Sequence, residues 1–475
     1  TKTPWVSSLH DPLWYLREEY QRGQEDGVNV PFLSQPPKHY LGVAWYQREI
    51  ETEEGDYEFV ISCTRWKTEV YLDNMFVGRV ISLCAPHRFF LGELTEGKHV
   101  LTVKIDNRMQ YPYRPDGHGV SDALAATWNG MTGQVFLRKV SKLSLGKLVL
   151  KQEVEKKTVR AELGFCNRTG EKTEAELCIS VTDKESGARR ETVQIIHLPE
   201  GESTRSFALD CEGLSGLWDE YNPDVQLFEV KLCSAWSEEK KELPFGFRNI
   251  QVKDGSFYIN DRPVYLRGTH FGGEFPLLGY PSDRQEDWER IFGICKMWGL
   301  NFVRFHSFCP PEAAFVAADC LGIYLQVECA MWNVFQEGNG MDKVLCEETE
   351  RILENFGHHP SFIMLSPSNE PGGDWAPVLA EWYRWCKASE ETYSGQRLYT
   401  RQSGWPYPVE PSQIDYTDYV YFHRSGYGPY SGGTIRNSVG WADKDYRASL
   451  KGISYPVITH EMGQWCSYPD YEIIE

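Results

Sequence analysis

Positive charge is what this sequence is short of. Its 475 residues carry 49 Lys and Arg against 68 Asp and Glu, a net charge of −19. That balance excludes a general binder of nucleic acid or of anionic membranes, either of which needs a basic face. No apolar run approaches the ~18 residues of a membrane-spanning helix. No C-x-x-C pair occurs among the 13 cysteines, so the common zinc and thioredoxin-type signals are missing. An odd, irregularly spaced set is no disulfide framework either, and the cysteines read as plain core residues. An H-E-x-x-H is also absent, with no comparable ligand spacing in its place, so neither a metal nor a cofactor is expected. The chain opens at Thr1 without a charged and then apolar leader. Removal of a signal peptide would place the protein in the periplasm or outside the cell, and the residues do not choose between that and the cytoplasm. What the sequence has in quantity is aromatic: 16 Trp, 26 Tyr and 23 Phe. An acidic, aromatic-rich chain can hold neutral, ring-shaped ligands.

At ~150 residues per domain the length suggests about three domains. Residues 1–142 read as all-β beyond a first ~40 of little periodicity. Short runs such as Tyr57-Glu58-Phe59-Val60-Ile61 and His99-Val100-Leu101-Thr102-Val103 are punctuated by Glu54-Gly55-Asp56 and Glu96-Gly97-Lys98. This pattern suits a sandwich that lacks some opening strands. Residues 143–244 form a second β region, with in–out alternation in Val159–Phe165, Ala175–Val181 and Gln226–Leu232. Its size suits an immunoglobulin-like sandwich. The charged run Ser237–Glu242 reads as a hairpin or linker.

From 245 to 475 short apolar strands alternate with helical patterns. Strands are expected at Val264–Gly268, Asn301–His306, Gly322–Val327, Phe362–Ser366, Leu398–Gln402, Tyr419–His423 and Pro456–His460. Helices are expected at Arg284–Trp298 (Asp283 as N-cap), Pro311–Leu321, Met341–Phe356 and Ala376–Thr392. This order implies a parallel sheet with helices outside. Seven strands are one short of a (β/α)8 barrel, which predicts a barrel incomplete at its C-terminus. A doubly wound open sheet with all its strands present is the alternative.

Three of these strands end in reactive residues: Val303-Arg304-Phe305-His306, Ser368-Asn369-Glu370-Pro371 and Thr459-His460-Glu461. The C-terminal ends of barrel strands are where active sites form. Two carboxylates in one cleft are the equipment for glycoside hydrolysis, one protonated to assist the leaving oxygen and one ionised to attack the anomeric carbon. Arg304 supplies a cation that would keep the attacking carboxylate ionised. Asn369 is placed to hydrogen-bond a sugar hydroxyl.

Together these segments resemble glycoside hydrolase family 2, the group of β-galactosidases, β-glucuronidases and β-mannosidases. The jelly-roll sugar-binding domain is echoed by Gly42-Val43-Ala44-Trp45-Tyr46 and by Thr127-Trp128-Asn129-Gly130. The immunoglobulin-like domain is echoed by Leu217-Trp218-Asp219-Glu220-Tyr221-Asn222-Pro223. The barrel is echoed by Phe245-Gly246-Phe247-Arg248 and by His359-Pro360-Ser361-Phe362-Ile363 leading to Asn369-Glu370-Pro371. The resemblance implies a retaining exo-acting β-glycosidase with Glu370 as acid/base, Glu461 as nucleophile and an oligosaccharide or glycoconjugate as substrate. It implies that Arg304 supports the nucleophile. It also implies that His270, His306, Glu328, Trp332, Trp405 and His423 line the sugar pocket. Departures from the family pattern are Gln464, where galactosidases of the family commonly carry a His, and His423, near the usual place of a Tyr. A carbohydrate-binding protein without turnover, or an inactive fragment of a glycosidase, is the competing expectation. Trp45, Trp128 and Trp218 are expected to be packing.

Overall fold

The computed structural model describes residues 42–114, 117–120, 128–214, 216–235, 238–273, 275, 278–336, 338–404, 415–423 and 452–461. Trp405, Gln464 and the first 41 residues lie outside this set.

The first β region pairs two antiparallel sheets. One runs in the order Val43–Thr52, Gly97–Asp106, Lys67–Leu72, Met75–Ile81, and the other His87–Leu94, Gly55–Ile61, Val135–Val140. Alternate side chains of both meet in a core of Phe59, Ile61, Val70, Phe89, Leu101, Val103 and Ile105. Trp45, expected to pack, is instead 59% exposed. It lies on the outer face of an edge strand, against the Tyr71 ring and the Lys104 ammonium.

The second region pairs Leu143–Glu153, Thr158–Asn167 and Gly201–Asp210 with a four-stranded sheet. In that sheet the charged run belongs to a hairpin rather than to a linker. Glu238–Phe245 is an edge strand, antiparallel to Gln226–Cys233. Its charges fit an edge, where Lys and Glu discourage pairing with another chain.

The third region carries the parallel strands β1 (Gly268–Phe271), β2 (Phe302–Phe305), β3 (Tyr324–Glu328), β4 (Phe362–Ser366) and β5 (Leu398–Tyr399), hydrogen-bonded in that order. Two more, β6 (Val420–His423) and β7 (Val457–His460), pair with each other in parallel. Helices α1 (Gln285–Met297), α2 (Glu312–Leu321), α3 (Met341–Phe356) and α4 (Trp375–Ala388) fall between strands. Every residue of β2 to β4 is buried, as in a sheet covered on both faces, which explains their mostly apolar character; Arg304, Gln326 and Glu328 are the charged or amide exceptions. The strands do not close into a barrel among the described residues. Between β1 and β7 lies a cavity of about 860 Å³, lined by Gly268, Thr269 and His270 on one side and by Val457, Ile458 and Thr459 on the other.

Two boundaries differ from the sequence pattern. Of the first expected strand, Val264–Gly268, Val264 ends a strand (Arg262–Val264) in a small antiparallel sheet with Ser256–Ile259, and β1 begins only at Gly268. Helix α1 is capped by Arg284 without a side-chain bond, not by Asp283. Glu286 and Asp287 in its first turn supply the negative charge that suits a helix N-terminus.

Candidate active site

Strand ends deliver the polar side chains. Strand neighbours normally point to opposite faces. Glu370, just beyond β4, has φ 31°, and Glu461, just beyond β7, has φ 47°. These left-handed conformations are strained for a non-glycine residue and cluster at functional sites. They let Asn369 and Glu370, and likewise His460 and Glu461, reach the same place from adjacent positions.

Arg304, at the end of β2, is the centre of the arrangement. Its Nε donates to Glu328 Oε1 at 2.7 Å, one terminal nitrogen to Asn369 Oδ1 at 2.7 Å, and the other reaches Glu461 Oε1 at 3.4 Å. Burial works against its charge, but Glu328, Tyr421 and Glu461 outweigh that and hold it more firmly protonated than an ordinary arginine. Glu328, expected to line the pocket, is fully buried beneath Arg304, where its second oxygen accepts the Ser307 amide at 2.9 Å. Gln326 on β3 adds a bond to the same carboxylate and accepts the hydroxyls of Tyr419 and Tyr421.

His460 is fully buried and stands between the two strand-end glutamates. Its Nε2 lies 3.1 Å from Glu461 Oε1, and its Nδ1 lies 3.9 Å from Glu370 Oε1. The same Nε2 is 3.3 Å from Asn369 Oδ1. His306 Nε2 approaches Glu461 Oε1 at 3.6 Å. Burial alone would raise the Glu461 pKa. The hydrogen bond from His460 first, and then the positive charge of Arg304, override it and hold this carboxylate far below the usual range. Asn369 offers both of its oxygen's lone pairs to Arg304 and His460, while its buried Nδ2 makes no bond among the described residues.

His270 is exposed at the mouth, with its ring 4.9 Å from that of His306. Trp332 is half-buried and meets His306 edge-on at 5.8 Å, and the guanidinium of Arg114 lies 4.8 Å from its ring. His423 has its backbone in β6, opposite His460. Its side chain, like all of Trp405, lies outside the described residues. Tyr421 is buried with its hydroxyl bonded at 2.6 Å to Gln326, so it packs rather than stacks.

His270, His306 and Glu461 offer three metal-ligand atoms within 4.8 Å of one another. Arg304 already provides a positive charge against the same carboxylate, and a second cation there would meet its repulsion.

The sequence reading gave no role to two members. His460 was visible as a histidine inside an apolar strand directly before a glutamate. His118 comes from the first β region and lies 3.2 Å, Nδ1 to Nδ1, from His306. Its only local signal is Gly117-His118-Gly119, a loop sequence far from the strands it serves.

No protein-family model matches the chain. A β-galactosidase of Thermoanaerobacterium thermosulfurigenes is 23% identical over 377 residues, covering 74% of this chain and 52% of the relative. A β-glucuronidase of Streptococcus agalactiae is 21% identical over 399 residues, covering 76% of this chain and 64% of that one. Among solved structures, the GH2 β-galacturonidase of Eisenbergiella tayi, bound to galacturonate, superposes with a TM-score of 0.69. It is 18% identical and shares 90% of this chain and 76% of its own. The chain is thus similar in sequence to β-galactosidases and β-glucuronidases, and in fold to structures of glycoside hydrolase family 2. The likeness to the family 2 structures is one of fold. The chain spans 52% and 64% of the two curated relatives above, less than two thirds of either.

Proposed function

We propose that this chain carries the catalytic centre of a retaining exo-acting β-glycosidase, with Glu370 as acid/base and Glu461 as nucleophile. The observation that carries the reading is His460: one buried imidazole faces both strand-end carboxylates, one through each nitrogen. In this reading residues 245–475 form part of a (β/α)8 barrel behind a jelly-roll unit (1–142) and an immunoglobulin-like unit (143–244).

The two carboxylates have unlike surroundings, as acid and nucleophile require. Glu461 sits among Arg304, His460 and His306 and stays ionised. Its carboxylate attacks the anomeric carbon as the bond to the leaving oxygen breaks, and Glu370 gives that oxygen its proton. Water, deprotonated by Glu370, then displaces Glu461 and restores both groups. The unengaged Nδ2 of Asn369 donates to a sugar hydroxyl. Trp332 and His270 lie where a sugar ring would meet an aromatic face and a polar rim. The named relatives act on galactosides and glucuronides, which supports a β-glycoside substrate without selecting the sugar.

The test is a panel of nitrophenyl β-glycosides, including galactoside, glucuronide and mannoside. Hydrolysis of one or more is expected. Glu461→Ala should abolish it. Glu370→Ala should cost about 10²–10⁴-fold, the usual share of general acid catalysis. Sugar binding without release of nitrophenol would favour the non-hydrolytic alternative. Undiminished rates in either variant would remove the assignment.

A further inference from the structure

We propose that His118 is a positioning residue that sets the tautomer of His306, donating its Nδ1–H to His306 Nδ1 so that His306 turns its Nε2–H toward Glu461. Its importance to turnover rests on Glu461 being the nucleophile, but the tautomer can be measured without that.

The loop that carries His118 is held over the site from both directions. Arg65 donates to the Gly119 carbonyl while its guanidinium lies 3.8 Å from the Trp128 ring. Trp128 in turn packs edge-on against Phe275 and Phe308 of the parallel-sheet region. Gly119 has φ 74°, and a Cβ there would lie 3.2 Å from the Ser307 carbonyl, so the backbone approaches the end of β2 closely. His118 itself is buried, with Trp332 at 6.5 Å.

The charged groups around the pair are Arg304, Arg65, His270 and Glu461. Burial first, and then positive neighbours, push His118 down to about 3 and His306 well below the ordinary histidine range. Both rings are therefore neutral near pH 7, with one proton each. Two facing Nδ1 atoms can share only one of those protons between them.

That leaves two arrangements. If His306 were the donor, its bare Nε2 would present a lone pair to the Glu461 carboxylate at 3.6 Å, negative against negative. If His118 is the donor, His306 keeps its proton on Nε2, and an N–H dipole faces the carboxylate. Electrostatics selects the second. His306 then joins Arg304 and His460 in orienting the attacking group, and the first β region contributes to the site through one proton.

The experiment is ¹⁵N NMR of histidine-labelled protein near pH 7, with the His306 signals assigned by their loss in His306→Gln. Wild type should show His306 protonated on Nε2. His118→Asn places an amide donor where Nδ1 stood and should preserve that tautomer and most of kcat. His118→Asp offers only acceptors and should move the proton to Nδ1, with kcat falling about 10- to 100-fold and KM little changed. A wild-type His306 protonated on Nδ1 overturns the proposal, as does an unchanged tautomer in a folded His118→Asp. The wild-type spectrum decides even where a variant fails to fold. Undiminished turnover in Glu461→Ala would sink the glycosidase reading and leave the tautomer result standing.

Discussion

Arg304 is the residue on which the site's charges depend. A planar guanidinium directs its N–H groups at three acceptors at fixed angles, and a lysine ammonium cannot reproduce that fork. Glu328 beneath it is fully buried and has no route to water. Removing the arginine charge leaves this carboxylate uncompensated, which typically costs about 3–5 kcal/mol. Arg304→Ala is therefore expected to lower the unfolding free energy measured in urea by that amount as well as to abolish turnover. Arg304→Lys should retain much of the stability but lose kcat, because Asn369 and Glu461 are no longer held together. A lysine variant with full activity would show that charge alone suffices.

Elements were the most legible scale. Helix α3 matches its expected bounds, Met341–Phe356, because its apolar residues recur at helical spacing and its ends are marked by Gly340 and Gly357. Strands β2, β3 and β4 were readable as short apolar runs. The motif His359-Pro360-Ser361 resolves into a clasp: His359 Nδ1 and the Ser361 amide both bind the Asp319 carboxylate, whose backbone carbonyl accepts the Trp218 indole. The start of β1 was not legible, because Val264 and Leu266 read as the start of an apolar strand, and only the pairing of Arg262–Val264 with Ser256–Ile259 places Val264 in a different sheet. The His118–His306 contact spans 188 residues of sequence, and no local pattern encodes such a meeting. The end of α2 offers a prediction at this scale. Gly322 caps it in the left-handed conformation, φ 66° and ψ 46°. A Cβ there would lie 2.9 Å from Glu220 Cα, in a turn of the second β region that packs against the parallel strands. Gly322→Ala combines backbone strain with that clash and should lose about 1–3 kcal/mol. Thermal unfolding checks it, and an unchanged melting point would refute the close packing of α2 on the Asp219–Glu220 turn.

At the scale of the whole molecule, buried histidines link stability to acidity. His87 lies in the first β region, bonded to Thr68 and to the Ser82 carbonyl, and burial pushes it down to about 3. His118, His306 and His358 are likewise pushed down, by burial first and by positive neighbours second. Unfolded, each would titrate near 6.5. Above that pH both states are neutral and the groups contribute no pH dependence. Below it the unfolded chain takes up protons that the folded one refuses, so stability falls as pH falls from about 6.5 toward 3. Each histidine contributes up to about 1.4 kcal/mol per pH unit in that window. The depressed Glu461 adds loss in the same direction once the unfolded carboxylate begins to titrate, near pH 4.5. Urea midpoints measured between pH 8 and 4 should therefore be level at the alkaline end and drop steeply below about 6.5. His87→Gln removes one titrating group far from the candidate site and should make that drop shallower without altering turnover. A midpoint that stays level from pH 7 to 5 would mean that these rings accept protons in the folded state.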